Sequence, residues 1–202
     1  MRPFAMVLAV AALFATSCGK DLDDETLSPE RYEQLERLYK DQLALDERSF
    51  ESEAALERME RSCERLDRSD PLLAAHYTVC VRAIEAGRAL VDVDCDDIRA
   101  CNRAFGAGAI SYRRLAGDFR RIDEILDDEN VEAACREALS PGRLEEVLLR
   151  LANAFETMAS TSEDDERGAQ ALAEFGDIEE DFKRLGSPRE MYARFRSACG
   201  GS

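Results

Sequence analysis

The chain is 202 residues long, and 35% of its residues are charged, with 43 acidic against 27 basic side chains and a formal net charge of −16. Nucleic acids and anionic lipids are bound through dense Lys and Arg surfaces, so this charge disfavours both as partners and suits a basic protein or a cation. The length is enough for one folded domain.

The N-terminal stretch combines a positive residue, a short apolar core and small residues before a cysteine. Arg2 is followed by an uncharged run over residues 3–17, which ends in Ala15-Thr16-Ser17-Cys18. The run is shorter than the ~20 apolar residues that a membrane-spanning helix needs, so it predicts a cleaved signal peptide. The pattern resembles the lipobox of bacterial lipoprotein precursors, and the resemblance covers residues 1–18 only.

The lipobox resemblance implies the maturation and the location of the chain. Signal peptidase would remove residues 1–17, and a lipid on the sulfur of Cys18 would make the membrane a partner. Residues 18–28 then form an acidic tether, and residues 29–202 form a single domain. Gly19, in place of the Asp that marks inner-membrane retention in some bacteria, favours the outer membrane, facing the periplasm or the cell surface. An ordinary secretory signal or an uncleaved anchor remains the alternative.

Helix-start signals punctuate the rest of the chain. Serine accepts hydrogen bonds from free backbone N–H groups, and proline tolerates the first helical position because its own N–H is not needed there. Ser187 and Glu190 also have the spacing of a capping box. The predicted starts are Ser28-Pro29, Ser69-Asp70-Pro71, Ser140-Pro141 and Ser187-Pro188.

Apolar residues between these signals recur every three and four positions, which predicts amphipathic helices. The first apolar series has a polar middle between Gln42 and Ser52, where the helix is expected to bend, break or pack loosely. No segment alternates with the period of a strand. The fold class is therefore all-α, an antiparallel helical bundle of about six to seven disulfide-tied helices. The predicted helices cover residues 35–66, 73–91, 98–126, 130–139, 144–158, 171–185 and 188–199.

Six cysteines remain once Cys18 is assigned to the lipid, an even number that predicts three disulfides in an oxidising compartment. Cys63 and Cys80 flank the turn at residues 69–70 with a stagger of only ~6 Å, which favours their pairing. Pairing of Cys80 with Cys101 is the competitor, and buried free thiols in a cytosolic chain are the alternative to any framework. The predicted pairs are Cys63–Cys80, Cys95–Cys101 and Cys135–Cys199.

Two groups of residues have partial metal-ligand patterns. His76 and Cys80 stand four apart on one helix, and Cys63 could join them at a zinc site. Asp92, Asp94, Asp96 and Asp97 open like a calcium loop, but Asp97 replaces the turn glycine and Arg103 holds the position of the closing glutamate. A capped, acid-rich helix start explains the same aspartates. We therefore predict no metal and no cofactor, and keep the four aspartates as a weak calcium candidate.

The predicted helix at 98–126 carries a basic stripe in an otherwise acidic protein. Such arginines usually pair with neighbouring carboxylates, although an acidic partner would also suit them. Small residues at 105–109 are expected to let another helix approach, or to leave a shallow pocket. The arginines are Arg99, Arg103, Arg113, Arg114, Arg120 and Arg121.

No catalytic constellation is recognisable in the sequence. The chain has one histidine and lacks Gly-x-Ser-x-Gly and His-Glu-x-x-His, while 43 carboxylates produce pairs by chance. We therefore predict a non-catalytic lipid-anchored envelope protein that binds another envelope protein through a helical module. A lipoprotein that binds a small ligand or a cation is the alternative, and a glycan-acting enzyme is a weaker third hypothesis.

Overall fold

The computed structural model describes residues 26–43, 53–91, 98–139, 142–160 and 166–200. These residues form helices and their connections, with no β-sheet, which confirms the predicted all-α class. No helix among them is long and apolar enough to cross a membrane. The helices are α1 (Pro29–Leu43), α2 (Glu53–Cys63), α3 (Pro71–Val91), α4 (Ile98–Asp128), α5 (Ala133–Leu139), α6 (Gly142–Ser160), α7 (Glu166–Leu185) and α8 (Pro188–Cys199).

The long first helix of the prediction is two helices in the structure. Helix α1 ends at Leu43 and α2 begins at Glu53, on either side of the polar stretch where a break was expected. Residues 44–52 themselves lie outside the described part. The two flanking helices each bury an apolar stripe, with Leu35 and Leu38 in α1 and Leu56 and Met59 in α2.

The small helix predicted from residue 130 begins later, at Ala133, because Asn130 ends the helix before it. Asn130 has φ of +51°, a left-handed conformation that asparagine tolerates better than most residues. The N–H of Val131 donates to the carbonyl of Leu126 at 3.0 Å, and the N–H of Asn130 donates to that of Asp127 at 3.0 Å. These two bonds form the Schellman motif that closes α4.

Local capping confirms three of the predicted helix starts. Asp70 accepts hydrogen bonds from the N–H groups of Leu72 and Leu73 at 2.9 and 3.0 Å, and so caps α3. Ser187 and Glu190 form the expected capping box at the start of α8. Ser28 accepts a bond from the third residue after it, at the start of α1. The fourth start, Ser140-Pro141, lies outside the described residues.

Side-chain pairs fix the antiparallel arrangement of neighbouring helices. Between α4 and α6, Gly106 lies near Ala159, while Arg120, further along α4, bonds Glu145 at the opposite end of α6. Helices α4 and α6 therefore run antiparallel. Between α1 and α2 the same holds, since Ser62 bonds Asp41 and the N–H of Asp67 bonds Gln34. The predicted antiparallel bundle is confirmed.

Helix α4 is central to the core and packs against α3 and α6. A Cβ atom added to Gly108 would lie 3.2 Å from the ring of Phe155, so the missing side chain is what lets α6 come close. The ring of Phe155 also contacts those of Phe105, Tyr112 and Phe175 at centroid distances of 5.1–5.5 Å. The glycine-rich patch therefore admits a neighbouring helix, which was one of its two predicted roles.

Disulfides connect distant parts of this bundle. Cys63 pairs with Cys80 across the α2–α3 hairpin, with 6.1 Å between the Cα atoms. Cys135 of α5 pairs with Cys199 of α8, with 4.8 Å between the Cα atoms. Both pairs are as predicted, and the competing pair Cys80–Cys101 is wrong. Cys101 is also disulfide-bonded, and its predicted partner Cys95 lies outside the described residues.

The two described disulfides should stabilise the fold unequally. Cys135 and Cys199 are 64 residues apart and Cys63 and Cys80 only 17, so the former restricts the unfolded chain more. We expect Cys135→Ala/Cys199→Ala to lower the free energy of unfolding by about 4 kcal/mol and Cys63→Ala/Cys80→Ala by about 3 kcal/mol. Urea unfolding of both oxidised variants measures this, and the reverse order would contradict it.

The close approach at Gly108 predicts a position-specific effect of one substitution. Gly108→Val should lower the free energy of unfolding by about 1 to 3 kcal/mol, because the new side chain meets the ring of Phe155. Gly117→Val is the matched control on the same helix, since a Cβ there meets no atom within 4 Å. Equal stability of the two variants in urea unfolding would show that α6 can yield to the added side chain.

Candidate functional site

Several predicted site residues lie outside the described part of the chain. They are Cys18, the predicted lipidation site, Cys95, and the calcium candidates Asp92, Asp94, Asp96 and Asp97. Lipidation and calcium binding therefore stay predictions. The described residues include the zinc candidates and the basic stripe.

His76 is a core residue of α3, with 3% of its surface exposed. Its Nδ1–H donates to the carbonyl of Leu72 at 2.9 Å, because a carbonyl can only accept. Its Nε2 is buried and has no hydrogen-bond partner in the described part of the chain. Burial lowers the pKa of His76 to about 4, so the imidazole is neutral at pH 7.

The zinc site considered at His76 has no thiolate ligands from Cys63 and Cys80. Cys80 and Cys63 are bonded to each other, and a disulfide sulfur is not the thiolate that zinc requires. Among the described residues, no group of three or more His, Cys, Asp or Glu side chains is placed to hold a metal ion. His76 and Cys80 are therefore packing residues of the α3 seam.

The basic stripe of α4 divides into two sets in the structure. Arg113 forms an ion pair with Glu156, and Arg120 forms one with Glu145, so both face α6. On the opposite flank, Arg82 of α3 pairs with Asp118 of α4 at 2.6 Å. These pairs line the two seams of the helix, and they agree with the expectation that such arginines meet neighbouring carboxylates.

Three of the remaining arginines form an outward surface that we call the basic face of α4, and Arg99 is exposed at the start of the helix. Arg103, Arg114 and Arg121 are exposed and make no ion pair in the described structure, although the charge of Arg121 acts through space on Asp118. Ile110, which lies among them, has 54% of its surface exposed. The positions of this face recur every four and three residues, so they form one stripe opposite the core. It comprises Arg103, Ala107, Ile110, Arg114, Gly117 and Arg121.

A second cluster, at the start of the domain, was not found from the sequence. Arg31 donates from Nε to Asp70 at 2.6 Å and also pairs with Glu129, which joins the beginnings of α1 and α3 to the end of α4. The hydrogen bond to Glu129 is the largest influence that raises the pKa of Arg31. The partners are 39 and 98 residues away, so no local sequence pattern reveals them.

An open cleft of about 430 Å³ lies beside Arg31, and Leu27 and Val131 are among its lining residues. Its volume is that of a small-ligand pocket. The guanidinium of Arg31, however, already binds the carboxylates of Asp70 and Glu129, so an anionic ligand would have to displace them. We therefore regard the cleft as part of a structural junction.

Comparison of the chain with protein-family models, with curated proteins and with solved structures finds no match.

The buried imidazole predicts a specific pH dependence of stability. His76 is the only histidine, and its folded pKa of about 4 lies below the ~6.5 of an unfolded chain. Its contribution is therefore complete above pH 6.5 and is lost as the pH falls toward 4, when the unfolded chain takes up the proton first. The loss amounts to about 3 kcal/mol.

Substitution of the histidine isolates this contribution from that of the carboxylates. Between pH 6.5 and 4, the free energy of unfolding of His76→Gln should fall less steeply than that of the wild type. Urea unfolding at several pH values gives both slopes. Parallel slopes would mean that the imidazole titrates normally in the folded protein.

Proposed function

We propose that the protein is a non-catalytic, lipid-anchored protein of the bacterial cell envelope that acts as a helical interaction module. Disulfide bonding is the observation that carries this proposal, because disulfides form and persist in oxidising compartments outside the cytosol. The described bonds use Cys63, Cys80, Cys135 and Cys199. The lipobox-like pattern accounts separately for Cys18, so both features support the same compartment.

The positions of reactive side chains support an interaction role over a catalytic one. His76 is neutral, buried and bonded within its own helix, so it is not placed as a general base at a surface. The bonded sulfurs are not nucleophiles. Arg113 and Arg120 of α4 instead form ion pairs with α6. The arginines of the basic face are exposed and available to another macromolecule.

The start of the domain fits a short tether. Leu27 is 6% exposed and belongs to the core, so packing begins two residues before the predicted domain boundary at residue 29. The eight peptide steps from Cys18 to Thr26 span at most about 28 Å when extended. A lipid on Cys18 would thus hold the bundle close to the membrane, which we place at the outer membrane, on its periplasmic or external side.

Anchoring is tested by Cys18→Ser, which removes the sulfur that would carry the lipid. We expect the variant to incorporate no labelled fatty acid and to leave the membrane fraction, because a protein without its acyl chains loses most of its membrane affinity. Ser17→Ala is the matched control, since it keeps a small residue before the cysteine and should remain acylated.

Mass spectrometry of the wild-type N-terminus gives the decisive reading. An acylated peptide that begins at Cys18 supports the anchor. A free thiol at Cys18, or a chain that still begins at Met1, would contradict it.

A further inference from the structure

Two helix faces of the bundle carry opposite charge and one exposed large apolar residue each. In the described structure Ile110 of α4 and Leu172 of α7 are the exposed large hydrophobic side chains, at 54% and 53%. Single exposed apolar residues are common on protein surfaces. Their surroundings, however, make these two complementary to each other.

The α4 side is basic. From Ile98 to Ile122 this helix contains six arginines and one acidic residue, Asp118, in a chain whose net charge is −16; its other acidic residues, Asp123, Glu124, Asp127 and Asp128, follow at its C-terminal end. The seam pairs already neutralise part of that charge. Arg103, Arg114 and Arg121 keep theirs on the basic face, which extends about 27 Å along the helix.

The α7 side is acidic. Helix α7 contains six acidic and three basic residues. Glu179 and Glu180 share the single ammonium of Lys183, at 3.0 and 2.8 Å, so negative charge remains there. The acidic face of α7 comprises Ala169, Leu172, Gly176, Glu179 and Glu180, all of them exposed; with Lys183 beside the two glutamates it carries one net negative charge.

The spacing of the two faces also matches. On α4, Ala107, Ile110, Arg114 and Gly117 are separated by three, four and three residues, as are Ala169, Leu172, Gly176 and Glu179 on α7. A Cβ atom added at Gly117 or Gly176 would meet no atom within 4 Å. Small residues therefore leave room at both faces for the side chains of an opposing helix, as in packing of seams with heptad spacing.

We propose that the basic face of α4 docks on the acidic face of α7 of a second copy of this chain. Ile110 and Leu172 would then be covered by apolar contact, and the arginines would meet Glu179 and Glu180. In a twofold dimer the contact occurs twice: α4 of the first copy meets α7 of the second, and α7 of the first copy meets α4 of the second. At physiological salt, charges more than ~8 Å apart are largely screened, which weakens the overall repulsion between two chains relative to the charges at the contact.

This inference rests on the proposed interaction role and names its partner. Self-association is measured on the full chain, purified in a non-denaturing detergent at ~0.15 M salt, by sedimentation equilibrium. We expect the wild type to be dimeric at tens of micromolar. The result does not depend on whether Cys18 is acylated, so failure of the dimer and failure of the anchor are distinguishable.

Charge reversal tests each face. Arg114→Glu/Arg121→Glu and Glu179→Arg/Glu180→Arg should each give monomers, with dissociation constants raised at least tenfold. The matched controls Arg143→Glu/Arg189→Glu and Glu30→Arg/Glu64→Arg change the net charge equally at exposed positions that belong to neither face, and they should remain dimeric. Circular dichroism and thermal unfolding show that every variant is folded.

Mixing the two monomeric variants is the decisive experiment. A mixed dimer would contain one native contact and one contact with both charges reversed, so it should form with near wild-type affinity. A wild type that is monomeric at several hundred micromolar overturns the proposal. This holds whether the basic face binds the chain's own acidic tether or another protein. Dimeric variants, or a mixture that stays monomeric, also overturn it.

Discussion

Burial of one face of α4 between α3 and α6 is the constraint on which the rest of the structure depends. At Gly108 the helix has no side chain, and Phe155 of α6 occupies the space. The same phenyl ring reaches Phe105 and Tyr112 on α4 and Phe175 on α7. One ring thus connects three helices, and a packed core allows little shift of any of them. The side of α4 opposite this contact necessarily becomes surface.

A disulfide, ring contacts and an ion pair join the outer helices to one another and to the start of α3. The Cys135–Cys199 bond fastens the last helix to α5. Tyr32 and Tyr39 of α1 pack on Phe195 of α8, with ring centroids 5.1 and 4.9 Å apart. Next to Tyr32, Arg31 binds Asp70, which also caps α3. These links join residues far apart in the sequence, so they fix topology more than local structure.

Some charged side chains of α4 form ion pairs with neighbouring helices, and others lie on its outward face without an ion pair. Exposed ion pairs such as Arg113–Glu156 contribute little to stability, because water and salt screen them and the side chains lose freedom. Their value here is to neutralise charge along the seams of α4. On the outward face of α4, Arg103, Arg114 and Arg121 make no ion pair in the described structure. A strongly acidic protein can thereby present a local basic surface without a basic composition.

The sequence by itself determined the helical class, three helix starts and the pairing of Cys63 with Cys80, because these depend on periodicity, on local hydrogen bonds and on positions measured from a turn. It also predicted an N-terminal anchor that depends on local chemistry alone. Only the tertiary structure decided which arginines of α4 meet carboxylates, and that Arg31 joins residues 39 and 98 positions away. It likewise decided that Ile110 and Leu172 stay exposed, since the side of a helix that faces water depends on which neighbours pack against it.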